Sequence, residues 1–89
     1  MAATKMTPAR ALILETLAAE IEAVKDSRPR LEELIGRYAT EQGLKLAFSG
    51  GTNVARMRGV AASATEGNAA ALTAWARAAR RALLQGGRL

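Results

Sequence analysis

The sequence predicts an all-α fold, a small single domain of three to four helices spanning residues 1–89. Two observations lead there. Apolar residues recur at helical spacing in three segments, and each segment is flanked by helix start or stop residues. The chain is also short, 89 residues with no cysteine, so one modest core must serve without disulfides.

The elements follow in order. Residues 1–6 read as a disordered start. Thr7 supplies a capping hydroxyl, and Pro8 suits the first helical position, where its missing N–H costs nothing. The helix should run to about Lys25, with Ile13, Leu14, Leu17, Ile21 and Val24 on one face. Leu12, Ala19 and Ala23 form a second apolar strip, which predicts a homodimer or partner contact. Ser27 and Pro29 open the next helix, whose face is Leu31, Leu34, Ile35 and Tyr38. Gly43 stops it and Leu44 folds back on its last turn. Residues 7–43 are therefore expected to be a helical hairpin.

Residues 44–49, "LKLAFS", alternate weakly and suggest a short strand or extended connection. After Gly50 and Gly51, a short helix is expected from about Val54 to Ala62, with Val54, Met57, Val60 and Ala61 inward. A final helix, beginning near Asn68 and ending at Gly86–Gly87, should bury Leu72, Trp75, Ala76, Ala79 and Leu83. Arg77, Arg80 and Arg81 then form a strip on another side, with no acid interleaved within the helix.

Charge divides the chain. Residues 1–43 carry six bases and seven acids. Residues 44–89 carry seven bases and only Glu66. A one-sided basic field suits a polyanion, nucleic acid before an acidic protein. Arginine and alanine usage alone would give the same totals without any partner. Histidine and cysteine are both absent, so zinc sites and Ser-His or Cys-His catalysis are not expected. Neither an enzyme nor a bound cofactor or metal is expected. No apolar run is long enough for a signal peptide or a bilayer span, which predicts a soluble, cytoplasmic protein without membrane contact.

Three local patterns resemble known families. "KLAFSGGTNV" resembles the SGG-x-D-S phosphate loop of the PP-loop ATP pyrophosphatases, which follows a strand and opens a helix. Asn53 and Val54 stand where that family has Asp and Ser. "NVARMRGVAAS" is similar to the first helix and turn of a helix-turn-helix unit, with Ala55 and Gly59 in A-x3-G spacing. "SATEGN" then separates it from the next helix, and Thr65 and Asn68 stand where apolar residues belong. A strand, a short helix and a longer helix also resemble the ribbon-helix-helix repressors, in which "LKLAFS" would pair with its copy and Lys45 would face DNA.

The functional expectation is a small nucleic-acid-binding protein, DNA-binding and regulatory. Its contacts to phosphate would come from Lys45, Arg56, Arg58, Arg77, Arg80 and Arg81. The alternative is a non-enzymatic interaction module, an adaptor, assembly subunit or inhibitor, for an acidic protein partner.

Overall fold

The structure is a computed structural model that describes residues 6–86; residues 1–5 of the expected disordered start, and Gly87 of the expected helix stop, lie outside them. Three helices and three strands follow in the order α1 (Pro8–Ala23), α2 (Arg28–Glu41), β1 (Lys45–Ser49), β2 (Thr52–Met57), β3 (Val60–Ala64) and α3 (Asn68–Gly86). The fold is α+β. The expected all-α helical bundle is wrong, because residues 52–64 form two strands and not a short helix.

The two N-terminal helices form largely as their residues dictate, and α1 packs chiefly against α3. Thr7 caps α1, its Oγ1 accepting from the Arg10 amide at 3.1 Å. Leu14, Leu17, Ala18 and Ile21 are buried, and Ile13 and Val24 pack at the margin. Ser27 sits at the N-cap of α2, but its side chain makes no capping bond. Leu31 and Tyr38 anchor α2 to the core. At the end of α2, Gly43 takes φ +72°, and the Leu44 amide returns to the Tyr38 carbonyl at 3.1 Å. That bend tucks Leu44 into the core and starts β1.

The sheet is an antiparallel meander in the order β1-β2-β3. Two two-residue turns make it. Gly50 and Gly51 have φ +59° and +82°, and Arg58 and Gly59 have φ +53° and +80°. Positive φ at both central residues is the type I′ signature, whose twist matches that of the flanking strands. The inward positions of β2 are Asn53, Ala55 and Met57, at a period of two. The helical expectation placed Val54 and Ala61 inward; Ala61 is exposed and Val54 lies on the open side of the sheet. Met57 and Val60 are buried as expected, because both periods place them there.

Helix α3 is the central element. It packs against α1 on one side and on β2 and β3 on the other, and it touches α2. Its buried face is Ala71, Leu72, Trp75, Ala76, Ala78 and Ala79. Alanines there let the backbones approach closely, and Trp75 fills the remaining space. The Trp75 indole donates from Nε1 to the carbonyl oxygens of Met57 and Val60, both at 3.1 Å. The only tryptophan thus ties α3 to the β2–β3 turn from beneath. No buried side-chain polar atom among the described residues lacks a partner.

These elements also dispose of the three local resemblances. No helix opens after Gly50–Gly51, so the phosphate-loop geometry is absent. No helix covers residues 53–63, so neither helix-turn-helix nor ribbon-helix-helix order is present.

Candidate nucleic-acid interface

The sheet has one covered and one open face. Leu46, Ala55 and Ala62 share a cross-strand row against the helices. The open face carries small residues, Ala47, Val54 and Ser63 in one row, and Ser49 and Thr52 beside it. Its third row is Lys45, Arg56 and Ala61.

Lys45 therefore lies directly opposite Arg56, on adjacent strands and both exposed. Like charges in that position are destabilising. No carboxylate forms an ion pair with either one among the described residues. The next cation is Arg58, in the turn that follows β2. It occupies the left-handed region, which costs a residue with a Cβ roughly 1–2 kcal/mol. Its guanidinium is held by the Gln42 side chain, with Nη2 at 2.8 Å and Nε at 3.2 Å from Oε1. Its carbonyl accepts from Nη2 of Arg10 at 3.2 Å, which brings a fourth cation, from the start of α1, to the same end of the sheet. The Arg10 guanidinium lies over Gly59, where a Cβ would meet Nη2 at 3.0 Å. Arg10 and Arg58 thus meet at the β2–β3 turn on its helix side, beside residues of α1 and α2, while Lys45 and Arg56 lie on the open face near the same end of the sheet; neither Arg10 nor Arg58 has an ion-pair partner among the described residues.

The α3 arginines are divided. Arg80 turns toward α1 and makes a two-pronged bond to Glu22, at 2.8 and 3.0 Å, with Glu15 at 3.8 Å. Hydrogen bonding from Arg80 holds the Glu22 carboxyl below its ordinary range, and the same bond raises Arg80 further. The acids come from α1, so inspection of α3 alone could not find them. Arg77 and Arg81 remain exposed and unpaired among the described residues. Arg77 borders a cleft whose rim also holds Lys25, Arg28, Asp26 and Glu66, so its surroundings are mixed in charge. That cleft adjoins the C-terminal end of α1, whereas Arg10 is at its N-terminal end. At 1.5 Å per residue the two ends are about 20 Å apart. The six expected site residues therefore form two separate groups plus Arg80: Lys45, Arg56 and Arg58 at the sheet end, Arg77 and Arg81 on α3.

Arg10 is the residue that sequence reasoning missed. It belongs to the acidic half of the chain, and nothing local announces its reach to Arg58. Two other cations are neutralised: Arg37 bonds Glu20 at 3.0 Å beside the Tyr38 hydroxyl, and Arg28 bonds Glu32 at 3.2 Å. Among the described residues no cluster of His, Asp or Glu could hold a metal ion, and no helix is long and apolar enough to cross a membrane. Comparison with protein-family models, with curated proteins and with solved structures found no match.

Proposed function

We propose that this protein binds nucleic acid through the phosphate backbone, using the end of the sheet that carries Lys45 and Arg56 on its open face and Arg58 and Arg10 at the β2–β3 turn. One observation carries the reading: a cross-strand Lys45–Arg56 pair that no carboxylate relieves, in a chain that pairs Arg28, Arg37 and Arg80 with acids. A polyanion would supply the missing countercharge. The adjoining open face is built from small side chains, so a phosphate backbone can approach the strands closely. Binding of this kind positions the protein without reading base sequence. Arg77 and Arg81 form a separate basic area, and Arg80 is engaged by Glu22.

Fluorescence anisotropy against duplex DNA, single-stranded DNA and RNA, each titrated with salt, tests the reading. The expected result is binding to at least one of them, with log K falling linearly with log salt. Absence of binding to all three at low salt would refute it and leave an acidic protein as the partner chemistry.

A further inference from the structure

Strand β1 is one of the two edges of the sheet; the other, β3, packs against α3, which β1 does not. The hydrogen-bonding phase of β1 follows from the turn: Ser49 and Thr52 flank a two-residue loop and exchange both of their bonds. Lys45, Ala47 and Ser49 accordingly direct their peptide groups to β2. Leu46 and Phe48 direct theirs outward, where no described strand pairs with them. Edge strands are ordinarily protected by proline, bulges or charges along their length. Here the only charge is Lys45, at the first position, and β1 has neither proline nor bulge. Phe48 lies on the helix-facing side of the sheet and is nevertheless 69% exposed, because α3 covers β2 and β3 and stops short of it.

We propose that β1 pairs antiparallel with β1 of a second copy of this chain, about a two-fold axis at Ala47. The strand is self-complementary in this register alone. Leu46 stands opposite Phe48 of the second copy, both on the helix-facing side, and their outward peptide groups form four backbone hydrogen bonds. Lys45 stands opposite Ser49, so no like charges face each other. A slip of one residue would oppose outward peptide groups to inward ones and send every side chain to the wrong face. A slip of two would carry half of these bonds off the strand. The product is a continuous six-stranded sheet in which each Phe48 covers the Leu46 of the other copy. The inference stands on β1 and does not depend on the nucleic-acid reading.

The chain has no cysteine, so a single introduced thiol reports one register. Ala47 is exposed on the open face. In the proposed pair it meets its own copy in a non-hydrogen-bonded position, where Cα atoms are about 4.5 Å apart, within disulfide reach. Ser63 lies in the same row two strands away and is also exposed. Under mild oxidation at equal concentration, Ala47→Cys should form a disulfide dimer at least about tenfold faster than Ser63→Cys, each rate normalised to its reaction with a small disulfide. Adding Phe48→Asp, at an exposed position, should bring Ala47→Cys down to the Ser63→Cys rate while circular dichroism shows the fold unchanged. Equal rates for the two single variants, or an Ala47→Cys rate indifferent to Phe48→Asp, would overturn the proposal.

Discussion

Replacing Trp75 by phenylalanine tests how the sheet is fastened to the helices. Trp75 is 0% exposed, and its indole N–H is shared between the Met57 and Val60 carbonyls on either side of the Arg58–Gly59 turn. Phenylalanine keeps an aromatic ring but removes the donor. Both carbonyls retain their ladder partners, so no acceptor is stranded, and the lost hydrogen bond is worth about 0.5–1.5 kcal/mol. The smaller ring leaves roughly 40 Å³ unfilled, which at about 24 cal/mol per Å³ costs about 1 kcal/mol more. The total is about 2 kcal/mol. A domain of this size has only about 4–13 kcal/mol to lose, and the midpoint should fall by about 8–16 °C. Urea unfolding followed by far-UV circular dichroism measures the change without relying on indole fluorescence. A loss below about 0.5 kcal/mol would show that the turn is not held from beneath by Trp75.

Other expectations separate stability from binding. Arg58→Asn places a residue favoured in type I′ turns at φ +53°; it should leave stability within about 0.5 kcal/mol of the parent, or raise it, while weakening nucleic-acid binding, as unfolding and anisotropy measurements on one sample would show. Arg80→Ala removes an exposed bidentate pair, so stability should fall by less than about 1 kcal/mol and the salt dependence of binding should not change. Stability should also fall at both extremes of pH. Glu22 has a lowered folded pKa, so its contribution is present above the ordinary carboxylate range and is lost as pH falls through the folded value. Tyr38 is raised above its ordinary 10.0, first by burial and then by its bond to Glu20, so its contribution is full below that value and is lost as pH rises beyond it. Tyr38→Phe should flatten the alkaline limb of unfolding free energy against pH and leave the acid limb in place.

The helices were legible because their signals are local. The Thr7 cap, the Gly43 stop and the Trp75 face lie within a few residues of what they control. The strands were hidden by composition. Residues 52–64 are rich in alanine, which favours helix, and Met57 and Val60 fit an inward face at either period. The available signal was the turn pair, Gly-Gly at 50–51 and Arg-Gly at 58–59, two positive-φ candidates eight residues apart. Arg-Gly is an uncommon choice for such a turn, which is why it passed as part of a helix. At the candidate site, Lys45, Arg56 and Arg58 were visible as basic residues, but their shared place at one end of a sheet was not. It depends on the register that sets Lys45 against Arg56, and Arg10 joins that end by crossing from α1. Arg80 carried the opposite lesson, since its neutralising acids come from the far end of the sequence.

The sheet-end cations are the centre of the functional account, and one comparison reaches them directly. Anisotropy is measured across a salt series for the parent, for Lys45→Ala/Arg56→Ala/Arg58→Ala, and for Arg77→Ala/Arg81→Ala. The account predicts that the triple variant loses about 2–3 from the slope of log K against log salt, while the α3 double variant loses less than about 1. A triple variant that keeps the parent's affinity and slope, with its fold intact by circular dichroism, would contradict the account.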